Sequence, residues 1–513
     1  MALTRRGFLK TIGMGLAASG CARLKPTEAA SGTAGRPLDR PHARPNIVYI
    51  LADDLGYGDL GCLNPKSRIP TPHANRLAAS GMTFTDAHSP SAVCTPTRYG
   101  VVTGRYAWRT RLKSGVLNGY SGHLIDPNRM TVASLLKANG YRTGVVGKWH
   151  LGLDFARRQG NPKEFDYARP VENSPNRYGF DYSYVIPASL DFPPYVYVED
   201  GKVTELPTAR QDAWKFPAFI RAGERAPGFK PIETLDVLLG KANAFIAREA
   251  KGAQPFFLYF ALTTPHKPVL PAKRFQGKSR LGPYGDFLMQ VDWTVGQVVR
   301  TLEEAGVRDN TLLVFTSDNG SFMFRLNETD EDHVANPGVQ GYRASSHTSA
   351  HVFRGTKADI YEGGHHIPYI VSWPARVKAG ATCKETICLA DLMATCAALV
   401  GATLPDDAGE DSFNTLPLML GNDWETPRAP VVHHSANGTF AVRDGKWKLV
   451  LSTGSGGREK PVGKPGSTPY RLFDMAADIS ETTDLAAAKA VYACSWWPGK
   501  FTRRGGATRR TKR

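Results

Sequence analysis

The sequence predicts an α/β protein in which helices sandwich a large mixed, mostly parallel sheet, followed by a small antiparallel α+β domain. Apolar runs rich in β-branched residues alternate with amphipathic segments, as strands and helices do in such a sheet. Polar residues cluster directly after the apolar runs. The alternation stops near Asp423, and two strand-like segments on either side of Asp444-Gly445 indicate a hairpin beyond that point.

Four apolar segments are predicted to be parallel strands buried on both faces, because they do not alternate with polar residues. A polar motif follows each of them. Since ligands of open α/β sheets bind outside the carboxyl ends of the strands, we expect the four motifs to share one crevice. The segments and their motifs are 46–51 with Asp53-Asp54, 143–146 with Lys148-Trp149-His150, 256–262 with His266, and 311–315 with Asp318-Asn319.

Helices are predicted between the strands over residues 131–137 and 286–305, where apolar residues recur at helical spacing. Another helix is predicted to begin near Tyr99–Val102. It would place Cys94 at or near a helix N-terminus, where free backbone N–H groups and the helix dipole favour an anion. A buried structural cysteine is the alternative interpretation of Cys94 taken alone.

The segment after residue 423 predicts a small antiparallel domain. Strands are expected over 439–443 and 446–451, and Asp444-Gly445 between them is typical of a type I′ turn. The remaining predictions here are a strand over 470–473, a short helix over 484–491, a domain boundary that separates 45–423 from 424–499, and a basic tail over 500–513.

The positive charge of the chain is concentrated at its ends. Of the formal net charge of +17, residues 1–44 carry +6 and residues 500–513 carry +7. The body of the protein is therefore close to neutral for its size, and we expect no nucleic-acid partner.

The N-terminus predicts an exported protein. Residues 1–25 resemble a twin-arginine signal peptide, and the apolar stretch Ile12–Ala18 is too short to span a bilayer. Ala18-Ser19-Gly20-Cys21 resembles a lipoprotein processing site, which would make the protein a lipid-anchored envelope protein; cleavage that removes Cys21 or leaves it free is the alternative. Residues 26–44 are predicted to be a linker, and the location is periplasmic or membrane-anchored.

The seven cysteines show no paired C-x-x-C and no matching histidines, so no zinc motif is predicted. Cys383 and Cys388 are close enough in sequence for a disulfide, a question that the sequence leaves open.

The side chains expected at the sheet edge are those of an anion-processing site. Carboxylates and an amide oxygen are the ligands of hard divalent cations. A cation among further positive side chains and histidines would stabilise charge that develops on oxygen atoms during group transfer. The oxygen ligands are Asp53, Asp54, Asp318 and Asn319, and the other groups are Arg98, Lys148, Lys357, His150 and His266.

The segment Cys94-Thr95-Pro96-Thr97-Arg98 resembles the C-x-P-x-R signature of the sulfatase family. Further matches to the family follow in family order across residues 45–485, which implies an alkaline-phosphatase-like fold with 45–423 as the catalytic domain. They are Ala52–Asp59, Thr103-Gly104-Arg105, Gly147–Gly152, Thr264-Pro265-His266, Ser317–Gly320, Lys357 with Tyr361–Gly364, Arg443–Leu449 and Leu472-Phe473-Asp474.

The resemblance implies that a formylglycine-generating enzyme oxidises Cys94 to Cα-formylglycine, whose hydrate attacks the sulfur of a sulfate ester. It implies one calcium ion held by Asp53, Asp54, Asp318, Asn319 and modified Cys94. The implied roles of the other residues are support of the hydrate by Arg98, sulfate binding by Lys148, Lys357 and Ser189, acid catalysis by His266 and base catalysis by His150.

Some features depart from the family pattern or point to a subgroup. Thr97 stands where Ser or Ala is commoner. The segment Tyr99–Leu112 most resembles bacterial sulfatases that act on sulfated glycans, including 6-sulfated galactose-type sugars, and the neighbourhoods of Pro193-Pro194-Tyr195 and His365 fit that subgroup loosely. Further histidines could shape the substrate pocket or be exposed loop residues, and the second interpretation is favoured; they are His347, His351, His365, His366, His433 and His434.

Two other functions are compatible with parts of the pattern. One is a phosphomonoester or phosphodiester hydrolase of the same superfamily, although the Cys-x-Pro-x-Arg motif and the single-cation ligand set argue against it. The other is an inactive glycan-binding lipoprotein, which would require a missing core residue.

Overall fold

Strand β1, Asn46–Asp53, lies inside a ten-stranded sheet with strand order β17-β2-β16-β13-β1-β12-β4-β7-β8-β9. The computed structural model describes residues 44–426 and 428–489. The strands β13, β1, β12, β4 and β7 run parallel, and β16 pairs antiparallel with both β13 and β2. The predicted mixed, mostly parallel sheet is therefore confirmed.

The strands are β1 Asn46–Asp53, β2 Met82–Phe84, β3 Ala87–His88, β4 Arg142–Lys148, β5 Arg157–Arg158, β6 Asn161–Phe165, β7 Tyr182–Ile186, β8 Val198–Glu199, β9 Lys202–Val203, β10 Ala209–Gln211, β11 Gly223–Arg225, β12 Phe256–Pro265, β13 Thr311–Ser317, β14 Phe324–Leu326, β15 Gly341–Arg343, β16 Tyr369–Ser372, β17 Ala381–Cys383, β18 Ile387–Cys388, β19 Val431–His434, β20 Phe440–Asp444, β21 Trp447–Val450 and β22 Arg471–Asp474.

The α-helices are α1 Pro72–Ala79, α2 Cys94–Thr103, α3 Val132–Ala138, α4 Thr234–Glu249, α5 Gly282–Glu304, α6 Glu362–His365, α7 Leu392–Val400 and α8 Leu416–Met419. Short 3-10 helices cover Tyr57–Asp59, Ala107–Arg109, Pro175–Tyr178, Pro231–Glu233 and Leu389–Asp391.

The two faces of β1 belong to two separate hydrophobic cores, because successive side chains of a strand point to opposite faces. Ile47 and Tyr49 pack in the core that includes residues of α2, α3 and α7. Val48 and Ile50 pack in the core that includes residues of α1, α4 and α5. Each of these four side chains is fully buried. Helices thus cover both faces of the central strands, as the uninterrupted apolar run predicts.

The C-terminal sheet is antiparallel, with strand order β19-β20-β21-β22. Its β20–β21 hairpin differs from the predicted type I′ turn: the connecting residues are Gly445 and Lys446, because Asp444 pairs with Trp447. Only Gly445 of the two has a positive φ, 52°, whereas a type I′ turn requires positive φ at both central positions. The turn prediction was therefore wrong by one residue and in type.

Two other local predictions need correction. Helix α2 begins at Cys94 itself rather than near Tyr99, with Val93 as its N-cap. The helix predicted over 484–491 is absent from the part of it that the structure describes, where residues 486–489 form a turn. Among the described residues, no helix is long and apolar enough to cross a membrane.

Other predictions lie beyond what the structure covers. The signal peptide, Cys21, most of the linker and the basic tail lie outside the described residues. The domain boundary near residue 423 stays a prediction. Cys383 and Cys388 are free thiols in the structure.

Candidate active site

The four strand-end motifs come together because β13, β1, β12 and β4 are immediate neighbours in the sheet. Parallel pairing places the carboxyl ends of these strands at one edge. Helix α2 contributes Cys94 and Arg98 to the same place, and both side chains are buried. The strand-end residues that were expected to converge therefore lie together, with Cys94 and Arg98 beside them.

Asp53, the last residue of β1, is held by a buried ammonium group. Nζ of Lys148 lies 2.8 Å from both Oδ1 and Oδ2 of Asp53. Asp53 and Lys148 are both 0 % exposed. A buried charge without a partner is strongly unfavourable, so the two residues depend on each other for their ionised states.

Asp54 meets a second buried cation. Nζ of Lys357 donates to Oδ1 and Oδ2 of Asp54 at 2.6 and 2.8 Å, and the amide Nδ2 of Asn319 donates to Oδ1 at 2.6 Å. Burial by itself would raise the pKa of Asp54, but Lys357, His266 and Lys148 outweigh it and lower that pKa below its usual value. Asp54 is thus a carboxylate at neutral pH.

The backbone at two site residues is held in a conformation that is uncommon outside glycine. Asp54 has φ of 66° and His150 has φ of 56°. Non-glycine residues adopt such values rarely, and they concentrate where a side chain must be aimed. Asp54 directly follows β1, and His150 lies two residues after the end of β4, so both stand where the chain leaves the sheet.

Arg98 joins α2 to the end of β13. Its Nε and Nη2 donate to Oδ2 of Asp318 at 2.9 and 2.7 Å, and its Nη1 donates to the carbonyl oxygen of Lys148 at 3.1 Å. Nη2 also lies 3.6 Å from Oδ1 of Asp53. One guanidinium group therefore fixes the relative positions of α2, β13 and β4.

Cys94 is the first residue of α2 and is 2 % exposed. Nζ of Lys357 lies 3.7 Å from its Sγ. Burial raises the pKa of the Cys94 thiol, although Lys148 and Lys357 oppose this effect. An unmodified thiol here would stay protonated at neutral pH and be a weak nucleophile.

The Thr97 hydroxyl donates to the carbonyl oxygen of Ser91 at 3.0 Å, which ties the first turn of α2 to the segment before it. The departure from Ser or Ala at this position thus keeps a hydroxyl that anchors the start of the helix.

The donor set fits a hard divalent cation. Asp53, Asp54, Asp318 and Asn319 are each 0 % exposed and offer only oxygen atoms. Oδ1 of Asn319 is buried without a hydrogen-bond partner. A buried amide oxygen without a donor is costly, and a cation at this position would satisfy it. The electrostatics agree: burial raises the pKa of Asp318 even though Arg98 opposes it, so a further positive charge would stabilise its carboxylate.

The side chains of His150 and His266 carry their hydrogen-bonded proton on different ring nitrogens. Nε2 of His150 donates to the carbonyl oxygen of Leu117 at 2.7 Å, and its Nδ1 is buried without a partner. Nδ1 of His266 donates to the carbonyl oxygen of Lys267 at 2.6 Å, and its Nε2 lies 3.6 Å from Oδ2 of Asp54. Each ring thus has one nitrogen bonded to a backbone carbonyl oxygen. The other nitrogen has no hydrogen-bond partner in His150 and lies near Asp54 in His266.

Both rings are neutral in the free protein. Burial, reinforced by Lys148, lowers the pKa of His150 well below its usual value. Burial and Lys357 lower the pKa of His266 to about 3, with Asp54 opposing. An anion bound beside His266 would raise its pKa again, because negative charge favours the imidazolium form.

Ser189 lies in the segment that follows β7 and leads to Asp191. Its hydroxyl is buried without a hydrogen-bond partner. Asp191 approaches His266, with 3.8 Å between Oδ1 and Nδ1, and the ring of Phe192 lies beside that of His150, 6.2 Å between centroids. The Ser189 segment therefore adjoins both candidate proton-transfer residues.

Three charged residues near the site, Asp191, Lys267 and Arg458, were not predicted from the sequence. Asp191 also pairs with Arg221. Lys267 directly follows the His266 motif, and burial together with Arg458 and Lys357 lowers its pKa to about 8. Arg458 belongs to the C-terminal region, and burial lowers its pKa, with Asp54 opposing this effect. Only Lys267 had a local signal, namely its position beside a site histidine.

The prediction that the additional histidines are exposed was wrong. His347, His365, His366, His433 and His434 are at most 3 % exposed, and His351 is partly buried. Tyr195, which the sequence placed in the same subgroup pattern as His365, is also buried. Its hydroxyl donates to the carbonyl oxygen of Asp191 at 3.1 Å. The five buried histidines are therefore interior residues and not parts of an exposed loop surface.

The fold and this site together bring a cysteine at a helix N-terminus beside buried carboxylates, an amide oxygen and two lysine ammonium groups, the combination expected of an enzyme that acts on anions. The sulfatase family model matches residues 45–402. The chain belongs to the sulfatase family.

Similar proteins carry sulfatase names. The chain is 35 % identical over 483 residues to an N-acetylgalactosamine-6-O-sulfatase of Bacteroides thetaiotaomicron. The alignment covers 86 % of this chain and 90 % of that protein. It is 32 % identical over 476 residues to arylsulfatase A of Homo sapiens, covering 89 % and 86 %. A solved structure designated 6S-sulf, from work on glycosaminoglycan metabolism by Bacteroides thetaiotaomicron, superposes with a TM-score of 0.76 at 34 % identity, covering 88 % and 97 %.

One solved structure shares the fold alone. A phosphonate monoester hydrolase of Agrobacterium radiobacter superposes with a TM-score of 0.58 at 17 % identity, covering 88 % of this chain and 94 % of that one.

Proposed function

We propose that this protein hydrolyses sulfate monoesters on a sulfated glycan, with formylglycine derived from Cys94 as nucleophile and one calcium ion as cofactor. The observation that carries the proposal is the buried pairing of Cys94 with Lys357 at the start of α2, beside four oxygen ligands that include the unpartnered Oδ1 of Asn319.

Two groups that the encoded side chains do not provide would supply the chemistry, namely a divalent cation and an aldehyde hydrate derived from Cys94. A calcium ion held by Asp53, Asp54, Asp318, Asn319 and modified Cys94 would withdraw charge from oxygen atoms of the sulfate group. A hydrated aldehyde at position 94 would provide two hydroxyls on one carbon: one would bond to sulfur as the S–O bond to the alcohol breaks, and deprotonation of the other would break the C–O bond to sulfate and restore the aldehyde.

Residues of the chain bind and orient the ester. Lys148 and Lys357 are proposed to neutralise sulfate oxygens. Each ammonium group lies within 2.8 Å of a carboxylate that would bind the calcium ion instead, which would free the ammonium group for sulfate. Arg98, fixed on Asp318, positions the start of α2. Ser189 offers a buried hydroxyl without a partner to the same group.

Proton movement is assigned to the two buried histidines. His266 is proposed to protonate the leaving alcohol oxygen through Nε2, since Nδ1 is anchored on the Lys267 carbonyl oxygen. His150 is proposed to take a proton from the second hydroxyl through Nδ1, since that nitrogen is unpartnered and Nε2 is anchored on Leu117. The net reaction consumes one water and yields an alcohol and sulfate.

The substrate proposed is a 6-O-sulfated N-acetylgalactosamine or a related galactose-type sugar. Support comes from the similarity to a protein named N-acetylgalactosamine-6-O-sulfatase at 35 % identity and from the resemblance of Tyr99–Leu112 to glycan sulfatases. We further propose that the protein is exported, which suits a polymeric substrate outside the cell.

The decisive experiment uses protein co-produced with a formylglycine-generating enzyme. Mass spectrometry of the Cys94 peptide should show the mass loss of thiol-to-aldehyde conversion, and sulfate release should be measured on 6-O-sulfated and 4-O-sulfated N-acetylgalactosamine and on an aryl sulfate. A Cys94→Ala variant is the matched control. Modified protein that releases no more sulfate than this variant would refute the proposal.

The alternative of a phosphoester hydrolase is tested in the same assay with an aryl phosphate monoester and diester. Turnover of a phosphoester that exceeds turnover of every sulfate ester would favour it. The third alternative, an inactive glycan-binding lipoprotein, would show glycan binding without release of sulfate.

A further inference from the structure

Two positively charged side chains beside the active site, Lys267 and Arg458, both contact Phe322. Nζ of Lys267 lies 5.9 Å from the centroid of the Phe322 ring and 4.9 Å from that of the Phe219 ring. Nη1 of Arg458 donates to the carbonyl oxygen of Phe322 at 3.0 Å. The Phe322 ring in turn lies 6.4 Å from that of His266, measured between centroids. We call Lys267 and Arg458 the outer cations.

Arg458 is held by the loop that carries Lys357. Asp359, two residues after Lys357, accepts the backbone N–H groups of Arg458 and Glu459 at its Oδ1. The carboxylate of Glu459 itself pairs with Arg354 at 2.7 Å. Arg458 is therefore fixed relative to a lysine of the active site, and neither of these two acids forms an ion pair with its guanidinium group.

The other charges around the outer cations cancel in pairs. Each of four carboxylates has a cation of its own, namely Asp53 with Lys148, Asp54 with Lys357, Asp318 with Arg98 and Asp191 with Arg221. In the part of the chain that the structure describes, neither Lys267 nor Arg458 forms an ion pair with a carboxylate. Two positive charges are therefore left over on this side of the active site.

These two charges are only partly in water, because Lys267 and Arg458 are both half-buried. Burial, reinforced by Arg458 and Lys357, lowers the pKa of Lys267 to about 8, and burial lowers the pKa of Arg458. A partly buried cation beside another cation is unfavourable unless an anion accompanies it. An anion bound to both outer cations would remove this cost.

The free donors of the outer cations suit an oxyanion. Nη1 of Arg458 is engaged with Phe322, whereas its Nε and Nη2 have no acceptor among the residues that the structure describes. Those two N–H groups are parallel and match two oxygen atoms of a carboxylate or a sulfate. The ammonium group of Lys267 has three N–H donors, and none of them meets an acceptor within the same described ranges.

We propose that Lys267 and Arg458 bind a second anionic group of the substrate, a carboxylate or a further sulfate close to the sulfate that reacts. The inference rests on the proposed function, in which Lys148, Lys357 and a calcium ion serve the reacting sulfate. A sulfate monoester carries one negative charge, so that group does not require two further cations. The substrate is accordingly a glycan unit with two anionic groups, which the outer cations select over a singly sulfated, otherwise neutral sugar.

Two chemical sources of the second anion fit a 6-O-sulfated N-acetylgalactosamine. One is a sulfate on O4 of the same sugar, and the other is the carboxylate of a hexuronic acid linked to that sugar. Both present oxygen atoms that an arginine and a lysine bind in the same way. Ligands that carry one or the other group separate the two sources.

The test is equilibrium binding, by titration calorimetry at one fixed salt concentration, to the calcium-loaded Cys94→Ala protein, which lacks the proposed nucleophile. The ligands are 6-O-sulfated N-acetylgalactosamine, its 4,6-di-O-sulfated form, and a disaccharide of a hexuronic acid with the 6-O-sulfated sugar. The same titrations are made with a Lys267→Gln/Arg458→Gln derivative. Lys273→Gln/Lys460→Gln is the matched control, because it removes two positive charges from exposed positions nearby in the sequence.

At least one of the two doubly anionic ligands should bind at least about tenfold more tightly than 6-O-sulfated N-acetylgalactosamine, since hydrogen bonds from charged donors stabilise the complex. The Lys267→Gln/Arg458→Gln derivative should lose this difference, and the control should keep it. Equal affinity for the three ligands, no measurable binding of any of them, or a preference that survives in the Lys267→Gln/Arg458→Gln derivative would overturn the proposal.

If the double variant fails to fold, Lys267→Gln alone decides the question, because the Lys267 side chain forms no hydrogen bond in the described part of the chain. It should reduce the preference for the doubly anionic ligand while Lys273→Gln leaves it intact, and an unchanged preference in Lys267→Gln would contradict the second anion site. Sulfate release by the modified Cys94 enzyme tests the proposed function separately. Binding preference without sulfate release would refute the hydrolase and support the anion site, whereas sulfate release without any preference would do the reverse.

Discussion

Nζ of Lys357 bridges Asp54 and Cys94: it lies 2.6 Å from Oδ1 of Asp54 and 3.7 Å from Sγ of Cys94. Asp54 comes from the end of β1 and Cys94 from the start of α2. One ammonium group therefore stands between a proposed metal ligand and the proposed nucleophile, where sulfate oxygens must lie if both act on the same ester.

Replacing Lys357 by Ala should lower kcat for sulfate release by ~10²–10³-fold, because a preorganised charge that stabilises the transition state is lost. Initial rates on an aryl sulfate measure the effect. Lys251→Ala, at an exposed position in the turn that follows α4, serves as the control and should keep the original rate. A Lys357→Ala enzyme with a normal kcat would remove Lys357 from the site.

Replacing Asn319 by Ala should weaken calcium binding, because the unpartnered buried Oδ1 is a proposed ligand. Isothermal titration of calcium into chelator-treated protein should show at least a tenfold higher Kd, from the loss of about 1.4 kcal/mol or more. The exposed Asn128→Ala variant should bind calcium as before. Chelation should also abolish sulfate release reversibly; activity that persists in excess chelator would contradict the metal assignment.

Replacing Arg98 by Ala should destabilise the protein by about 3–5 kcal/mol in calcium-free buffer, because Asp318 is left buried without its partner. Denaturant unfolding gives the free energy. The comparison is Arg158→Ala, which breaks an exposed pair with Glu164 and should change stability by less than about 1 kcal/mol. Similar losses in the two variants would mean that the buried pair has no special weight.

Lys267 should confer a pH dependence on substrate binding. Its pKa of about 8 means that the ammonium form, which attracts an anionic ester, is present below pH 8 and is lost as the pH rises through that value. KM should therefore rise above pH 8. A Lys267→Arg variant, which stays charged, should show a flat KM over the same range, and a parallel rise in that variant would assign the titration to another group.

Much of the active site could be predicted because its residues follow strands. A buried strand is recognisable from its own apolar run, and the motif after it is placed by the rule that parallel strands end at one edge. Asp53, Lys148, His266 and Asp318 were located in this way. Asp191 and Arg458 were not, since they come from loops whose paths depend on long-range packing.

The histidines show the limit most clearly. His365-His366 follow a Glu-Gly-Gly turn and His433-His434 open the C-terminal segment; exposure was the favoured prediction for all four, yet all four are buried. Their burial arises because the C-terminal sheet packs against α6 and β3, a contact between segments far apart in the chain. No local pattern carries that information.

By itself, the sequence determined the class of fold, the four strand-end motifs and the family resemblance at Cys94–Arg98, because strand burial and short motifs are local properties of the chain. The tertiary structure decided which charges meet: Lys148 with Asp53, Lys357 with Asp54, Arg98 with Asp318, and three histidines with one another. These pairings depend on strand order and on the packing of the C-terminal sheet, and the three ion pairs join residues 95, 303 and 220 positions apart.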